Sequence, residues 1–248
     1  MSHNEAAESR GATRGFLRFL LDLLIIVVVA FAISFLLKTF LLRSFYIPSG
    51  SMLQTLEIQD HILVNQLVPN AVGVQRGDVV VFEDPGGWLN LPSSTNAQSP
   101  SPVGQLLQAV GLAADTSTDY VVKRVIGIGG DVVACCDGDG RVTVNGVPLD
   151  EPYIVIPEGR SAASALEFEV TVPEGAVWVM GDNRYSSLDS RYHQDQPGKG
   201  FVLEEEIVGR AFMINWPLSH LGWLDNYADT FTGVDEARSE AVRESDDG

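Results

Sequence analysis

Few residues in this sequence could bind a metal ion or a nucleic acid. The 248 residues include two adjacent cysteines and four scattered histidines, and neither group has the ligand spacing of a metal site. Basic residues are also scarce, since 16 lysines and arginines stand against 33 aspartates and glutamates, which gives a net charge of −17. Phosphate binding requires clustered Lys and Arg side chains. We therefore predict no metal, no other cofactor and no nucleic-acid partner.

Charge is nearly absent from a long run close to the N-terminus. Residues 20–42 read LLDLLIIVVVAFAISFLLKTFLL, and as a helix they would extend about 35 Å, enough to cross a bilayer. Asp22 and Lys38 interrupt the run near its ends, where a charged side chain can reach the headgroups. A cleaved signal peptide is the competing interpretation, because residues 30–32 resemble a small-residue cleavage site. Since residues 33–37 continue the apolar run, we predict a retained membrane anchor.

The basic residues around this run give a weak indication of its orientation. Three arginines precede the run and two basic residues lie at its far end: Arg10, Arg14, Arg18, Lys38 and Arg43. Basic residues favour the cytoplasmic side of a membrane. The sequence therefore predicts a single-pass protein of the cell membrane, with residues 1–19 in the cytoplasm and the large C-terminal part outside it.

Helical spacing of apolar residues is weak beyond the anchor, and only the segment VGQLLQAVGLAAD has a pattern that could form a helix. Short runs rich in β-branched and aromatic residues alternate instead with Gly, Pro, Asn and Asp. These runs occupy residues 61–67, 78–82, 120–128, 131–135, 141–146, 167–172 and 176–180. The pattern predicts a mainly antiparallel β domain, which we place at residues 43–222.

Two segments do not fit the strand pattern. The first half of residues 84–119 is dominated by Gly, Ser and Pro, which is typical of a loop inserted between strands. Trp88, Leu89 and Leu91 could enter a bilayer surface, but we expect them to fix this loop to the domain. Residues 223–248 are acidic and rich in small residues, and we predict that they form a disordered tail.

Cys135 and Cys136 are neighbours in the sequence. Across a trans peptide their Cα atoms would lie about 3.8 Å apart, which is less than a disulfide usually spans. On a strand, their side chains would also point to opposite faces. A strained bridge is the alternative, because an exported domain would be oxidised. We expect two buried thiols or a turn at this position.

Ser51 is the candidate nucleophile, since it lies in the turn-like stretch FYIPSGSMLQTL, and its hydroxyl would need a base near neutral pH. His193 follows closely on a serine and an aspartate in SSLDSRYH, but triads are defined by geometry, and an ordinary polar loop explains this histidine.

Lys123 is the other candidate base, because strand alternation places it on one face with Val121 and Val125. Burial lowers a lysine pKa, so a neutral Lys123 could accept the serine proton. Surface charge is the simpler explanation for a Lys–Arg pair on a strand.

Four blocks follow the anchor in a fixed order: YIPSGSMLQTL, RGDVVVF, YVVKRVIGIGGDVV and VMGDNRYSSLDSR. Together, over residues 43–216, they resemble the bacterial type I signal peptidases, which remove signal peptides from exported preproteins. The resemblance implies a β catalytic core with an extra β-ribbon region, which we place at about 128–178. It also implies a serine endopeptidase that cleaves preproteins after small residues at positions −3 and −1, at the bilayer and near the translocation machinery. Residues 84–119 have no counterpart in these blocks.

The resemblance assigns roles to the candidate residues. Ser51 would be the nucleophile and Lys123 the general base. The Ser49 hydroxyl would complete an oxyanion hole with the Ser51 N–H group, and Ser187 would hydrogen-bond to Lys123 and orient it. The supporting residues would be an ion pair and two braces of its loop: Asp189, Arg191, Asp182 and Asn183. Shallow apolar pockets for the small substrate residues would be lined by Ile47, Met52 and Val121.

Two other functions fit parts of the sequence. A self-cleaving repressor is also a Ser–Lys peptidase, but it would be soluble and carry a DNA-binding module, unlike this anchored and acidic chain. A membrane-tethered binding domain with an inactive site is the second alternative. The joint presence of Ser51, Lys123, Ser187 and Asp189 argues against such a loss of activity.

Overall fold

The chain consists of two compact units. The computed structural model describes residues 5–89 and 120–246. Side chains are described throughout these ranges except in three stretches: 5–17, 36–40 and 244–246. The first unit is Met1–Leu41 and the second is Leu42–Gly248. Leu91 and most of the predicted insertion lie outside the described residues.

The first unit contains one long helix, α1, which spans Glu5–Phe40. It begins well before the predicted anchor and ends at Phe40 rather than at residue 42. Its most apolar window, Arg18–Phe35, has a mean hydropathy of 2.5, and no part of that window is buried. By length and composition, this helix is able to cross a membrane once.

The second unit is built on a large sheet of eight strands. The strands are β1 (Leu42–Tyr46), β2 (His61–Asn65), β3 (Val79–Glu83), β4 (Tyr120–Ile128), β9 (Ala176–Met180), β10 (Val202–Leu203), β11 (Ile207–Trp216) and β12 (Gly222–Trp223). Their order is β1-β2-β11-β3-β4-β9-β10, and β12 pairs with β11. The strand pairings are antiparallel. This arrangement confirms the predicted fold class.

A small sheet of four strands forms the expected β-ribbon region. It consists of β5 (Val132–Cys135), β6 (Val142–Val144), β7 (Val147–Pro148) and β8 (Phe168–Thr171), in the order β7-β6-β5-β8. Val133, Val144 and Phe168 of this sheet pack with Trp178 of the large sheet in a single hydrophobic cluster. That shared cluster joins the two sheets into one domain.

The longest strand of the domain, β11, is absent from the sequence-based assignment. Two register shifts interrupt its pairing with β2, between Ala211 and Met213 and between Ile214 and Trp216. Bulges of this kind displace one side chain from the regular alternation. The regular period of two is therefore broken in β11, although it pairs with both β2 and β3. The short strands β1, β7, β10 and β12 also lie outside the predicted runs.

The prediction that residues 223–248 form a disordered tail is wrong. A 3₁₀ turn at Ala228–Phe231 is followed by α2, Val234–Asp246. Phe231 and Val234 are buried in the cluster that fills the small sheet. Only these few apolar side chains attach the segment to the domain, and the acidic composition of the residues around them concealed this signal.

The expectation of free thiols at Cys135 and Cys136 is also wrong. The two residues are joined by a disulfide, and their Cα atoms are 2.9 Å apart. Residues joined by a trans peptide have Cα atoms about 3.8 Å apart, whereas this peptide bond is cis. Cys135 is buried and is the last residue of β5, an inner strand of the small sheet, and Cys136 is exposed just after it.

The first residues of the insertion are fixed to the domain, as expected for Trp88. Asp84 accepts hydrogen bonds from the backbone N–H groups of Gly86 and Trp88, both at 3.0 Å, and shapes the turn. The Trp88 side chain is buried and stacks on the His193 ring, with centroids 4.4 Å apart and planes 6° from parallel. Phe82 contacts the same indole edge-on at 5.5 Å. The turn therefore carries Trp88 into the core, away from a surface where it could meet lipid.

Candidate active site

β4 buries both of its faces, and this removes two neighbouring cations from water. Val121 and Val125 pack into one hydrophobic cluster, and Val122 packs against another. Lys123 and Arg124 lie between these positions and are only 4% and 0% exposed. The alternation inferred from the sequence is present, but apolar neighbours occupy both faces. The pair is therefore not a surface charge. Each buried cation loses its hydration and needs hydrogen bonds, an opposite charge or a change of pKa to offset that loss.

The side chains of Ser51 and Lys123 meet although they are far apart in the sequence. The Lys123 Nζ donates to the Ser51 Oγ at 2.9 Å and to the Val122 carbonyl at 2.8 Å. The Ser49 hydroxyl lies 3.4 Å from the Ser51 hydroxyl, at the long end of hydrogen bonding. β4 supplies the amine, and the turn after β1 supplies both serines. A hydroxyl and an amine of the types used as nucleophile and base are thus within hydrogen-bond reach of each other.

Burial lowers the pKa of Lys123 from 10.5 to about 8. The negative charges of Asp189 and Asp182 oppose this shift, while the positive charge of Arg191 adds to it. Desolvation is the largest of these effects because the ammonium loses its hydration and gains no direct ion pair among the described contacts. A substantial fraction of Lys123 is consequently neutral near physiological pH, as a general base must be.

Residues 181–191, after β9, hold in place the turn at residues 49–52, which we call the nucleophile turn. The Asn183 backbone N–H donates to the Ser51 carbonyl at 3.1 Å, and the Asn183 side-chain amide donates to the Gly50 carbonyl at 3.0 Å. Gly181 lies against the same turn, since a Cβ on this residue would fall 2.6 Å from the Ser51 carbonyl oxygen. A larger residue at 181 would displace the turn, which explains the glycine.

Two buried ion pairs fix that segment. Arg124 donates to both carboxylate oxygens of Asp182, at 2.9 and 2.8 Å, and Arg191 does the same to Asp189, at 2.8 and 2.7 Å. Burial alone would raise the pKa of Asp189, but its bonds to Arg191 and its charge attraction hold the pKa below its usual value. Asp189 also accepts from the Gly181 N–H group at 2.9 Å. The segment is thereby held rigidly beside the Ser–Lys pair.

Ser187 lies beside the nucleophile turn but does not make the bond assigned to it by the resemblance. Its hydroxyl is buried and has no hydrogen-bond partner in the part of the chain that the structure describes. A Cβ on Gly181 would fall 2.2 Å from this hydroxyl, which places Ser187 at the same junction as the Ser51 carbonyl. The orienting role of Ser187 remains a prediction.

The side chains predicted to line the substrate pockets are packed inside the core. Ile47 and Met52 belong to one hydrophobic cluster and Val121 to another, and each is at most 5% exposed. They therefore present little surface to a substrate. Among the described residues, no group of three or more His, Cys, Asp or Glu side chains is arranged to hold a metal ion.

Several buried or half-buried polar residues of the site were missed in the sequence. Thr55 donates to Asp182 at 2.5 Å, and Arg184 is paired with Glu151, whose carboxylate also accepts from Tyr153. Arg184 was available as a signal because it stands within the block VMGDNRYSSLDSR. Thr55 was available in the same way, because it stands within the block YIPSGSMLQTL, whereas Glu151 carries no local signal.

His193 is packed too tightly to serve as the base. Its Nδ1 lies 2.8 Å from the Asp189 carbonyl oxygen, and its ring is covered by Trp88. Its surroundings also differ from the ordinary polar loop inferred from the sequence, since the residue is buried. The structure thus assigns His193 to the attachment of the inserted loop.

We expect His193→Ala to lower stability and to leave chemistry nearly unchanged. Loss of the stacked ring should reduce the free energy of unfolding by about 1–3 kcal/mol, since an aromatic pair and its packing are lost together. Urea denaturation measures this change, and kcat on a preprotein peptide should stay within about threefold of wild type. Loss of turnover with unchanged stability would contradict this assignment.

Comparison with known proteins places these features in a family. The family described as signal peptidase, peptidase S26, matches residues 20–216. A signal peptidase I of Mycobacterium tuberculosis is 37% identical, with the match covering 87% of this chain and 78% of that protein. A probable signal peptidase I of Mycobacterium leprae is 35% identical, over 80% of this chain and 76% of that protein. A solved signal peptidase I of Enterococcus faecalis is 28% identical, covering 55% of this chain and 95% of its own, with a TM-score of 0.34, too low to argue the fold from.

Proposed function

The chain belongs to the peptidase S26 family of signal peptidases and is a serine endopeptidase, and we propose that Ser51 and Lys123 form its catalytic dyad. One observation carries the proposal: a buried lysine amine donates to the Ser51 hydroxyl at 2.9 Å. No other side chain that could act as a base contacts Ser51 in the described part of the chain.

In the proposed mechanism, the neutral Lys123 amine removes the Ser51 proton as the Ser51 oxygen attacks the carbonyl carbon of substrate residue −1. The tetrahedral intermediate collapses, the peptide bond breaks, and the Lys123 ammonium returns its proton to the leaving amine. The N-terminal part of the substrate is then esterified to Ser51. Lys123 next removes a proton from water, and the resulting attack on the ester releases the signal peptide and restores the serine hydroxyl.

The developing oxyanion requires donors beside Ser51. We assign this role to the Ser51 N–H group and the Ser49 hydroxyl, which lies 3.4 Å from the Ser51 Oγ and turns toward the substrate once a carbonyl oxygen arrives. The Asn183 contacts with the Gly50 and Ser51 carbonyls keep these donors in position. The backbone donor is thus preorganised, and only the Ser49 hydroxyl has to rotate when the substrate binds.

Ser187 is retained in the proposal as the residue that orients Lys123. A buried hydroxyl without a partner costs about 1–3 kcal/mol, so a bond to the amine would be favourable. The Lys123 amine carries three hydrogens when protonated and currently uses two bonds, to Ser51 and Val122. A bond to Ser187 would keep the amine aligned when Ser51 is acylated.

The substrates are proposed to be secretory preproteins cleaved after small residues at positions −3 and −1. The signal peptidase I relatives support this class of substrate. Because Ile47, Met52 and Val121 are in the core, we assign the selection for small residues to the backbone of the nucleophile turn and of β4 rather than to these three side chains. Close backbone approach excludes large side chains as effectively as a shallow pocket.

We further propose that α1 anchors the enzyme in the cell membrane, with the N-terminus in the cytoplasm and the peptidase domain outside. α1 is apolar enough to cross a bilayer, and Ser51 follows closely after its end in the sequence. The Cys135–Cys136 disulfide also favours an oxidising compartment. The bilayer, and translocation machinery within it, would then deliver the substrate to the site.

Incubation of the purified full-length chain with a preprotein tests this function. N-terminal sequencing of the product should show one new terminus, directly after the signal peptide. Protease added to intact spheroplasts should digest the peptidase domain, and its protection would overturn the proposed topology. A folded protein that binds the preprotein without cleaving it would instead support the inactive-domain alternative.

The pH dependence should follow the Lys123 amine. Its pKa is lowered to about 8, and only the neutral form acts as a base, so kcat/KM should rise as pH increases and level off above that value. Below it, the slope should approach about tenfold per pH unit. A rise centred near pH 6.5 that disappears in His193→Ala would point to the histidine instead.

A further inference from the structure

The C-terminal strap, which we define as residues 225–234, begins after the last residue matched by the family, residue 216. It nevertheless reaches the neighbour of the catalytic lysine. The Asp225 carbonyl accepts a hydrogen bond from the Arg124 Nη1 at 3.1 Å. The Tyr227 ring lies 5.3 Å from the Arg124 guanidinium carbon. The strap is therefore part of the wall around this buried cation.

Two tyrosines pack together on the same side of the Arg124 guanidinium. Tyr153 lies 4.1 Å from the guanidinium carbon, and the ring centroids of Tyr153 and Tyr227 are 4.9 Å apart. Aromatic faces attract a guanidinium most strongly where water is excluded. Because Arg124 is fully buried, the rings of Tyr153 and Tyr227 take the place of solvent around it.

The strap is fixed where it passes β3 and the small sheet. Asn226 lies directly on Gly77, where a Cβ would fall too close to the Asn226 carbonyl to be accommodated. The Gly77 carbonyl itself accepts from the Arg124 Nη1 at 2.7 Å. Beyond Tyr227, Phe231 and Val234 are buried in the small-sheet cluster. The position of Tyr227 is thus set by packing on both sides of it.

Arg124 connects the strap to the nucleophile turn through a series of hydrogen bonds. It holds both carboxylate oxygens of Asp182, and the next residue, Asn183, holds the Gly50 and Ser51 carbonyls. Each contact in this series is 3.1 Å or shorter. The guanidinium can hold Asp182 in only one orientation, because its Nη1 is already bound to two carbonyls.

We propose that Tyr227 is a positioning residue for the Ser51–Lys123 pair and acts through Arg124, Asp182 and Asn183. The inference rests on the catalytic dyad proposed above. Loss of the Tyr227 ring would remove a packing neighbour of both Tyr153 and the guanidinium, and would let Arg124 and Asp182 shift. The Ser51 hydroxyl would then leave its alignment with Lys123, although neither residue touches the strap among the described contacts. Small misplacements of reacting groups cost up to about a hundredfold in rate.

The backbone of Tyr227 suggests the variant that tests this role. Tyr227 has a left-handed conformation, with φ of 51°, which asparagine adopts more readily than most residues. Tyr227→Asn therefore removes the ring without adding backbone strain. Tyr227→Phe keeps the ring over the guanidinium, and Tyr227→Leu supplies a second ring-free variant. Ser239→Ala, on the exposed side of α2, is the matched control.

All variants are made in the full-length chain and assayed on one preprotein peptide at least about 20 °C below their thermal midpoints, beside Ser51→Ala. Tyr227→Asn and Tyr227→Leu should lower kcat by about tenfold to a hundredfold and leave KM within about twofold. Tyr227→Phe and Ser239→Ala should keep the wild-type kcat.

A wild-type kcat in either folded ring-free variant would overturn the proposal, as would a loss matched by Tyr227→Phe. The proposal would also be overturned if the loss of activity in each variant equalled its fraction of unfolded protein, because the strap would then only stabilise the fold. Residual cleavage by Ser51→Ala would instead refute the proposed dyad. Failure of both ring-free variants to fold would assign Tyr227 to stability and reject the positioning role.

Discussion

Replacement of Lys123 by methionine, alanine or arginine is expected to abolish preprotein cleavage. The Lys123 amine is the base that contacts Ser51, at 2.9 Å, and a positioned general base contributes about 10²–10⁴-fold to rate. Methionine fills a similar volume without an amine, so it separates loss of the base from loss of packing. Arginine keeps a charge at every accessible pH and cannot take the serine proton.

Preprotein cleavage by each lysine variant is compared with cleavage by His193→Ala under the same conditions. Thermal unfolding of Lys123→Met confirms that the variant is folded at the assay temperature. Cleavage by a folded lysine variant, together with inactivity of His193→Ala, would show that a histidine-based triad performs the chemistry.

Gly181→Ala is expected to have the next largest effect. An added Cβ would fall 2.2 Å from the Ser187 hydroxyl and 2.6 Å from the Ser51 carbonyl oxygen. Gly181 cannot move away easily, because its N–H group is bound to buried Asp189 at 2.9 Å. The nucleophile turn must shift instead, and kcat should fall by about a hundredfold. Overpacking should also lower the free energy of unfolding by about 1–3 kcal/mol.

A second glycine provides the control for this substitution. Gly138 has open space around its Cβ position, so Gly138→Ala introduces the same methyl group without a contact. Its kcat and its urea midpoint should match the wild type. If Gly181→Ala also retains the wild-type kcat, the close packing of residue 181 against the nucleophile turn has no part in catalysis.

Local sequence patterns predicted the strands whose side chains alternate regularly between the two faces. The nine residues of β4 showed the alternation that places Val121, Lys123 and Val125 on one face, and the structure has this strand at Tyr120–Ile128. The alternation gave Lys123 apolar neighbours but left surface charge as the simpler explanation, and the structure shows that both Lys123 and Arg124 are buried. The assignment of Ser51 and Lys123 as partners came from the resemblance to the signal peptidases, because no local pattern joins two residues on different strands and turns.

Contacts between distant residues were beyond this kind of prediction. Arg124 binds Asp225, a residue 101 positions away, and nothing in the sequence around either one indicates the other. The C-terminal segment illustrates the same limit, since average composition predicted disorder while the side chains of Phe231 and Val234 attach it to the core. At Cys135 the error arose from an assumed trans peptide.

Identification of the acylated residue tests the Ser51–Lys123 dyad most directly. The full-length protein is mixed with a preprotein peptide, quenched with acid within a single turnover, digested and mapped by mass spectrometry. The peptide that contains Ser51 should carry the substrate fragment ending at residue −1, in wild type and in His193→Ala but not in Lys123→Met. An acyl group on another residue, or on Ser51 in folded Lys123→Met at the wild-type rate, would contradict the dyad.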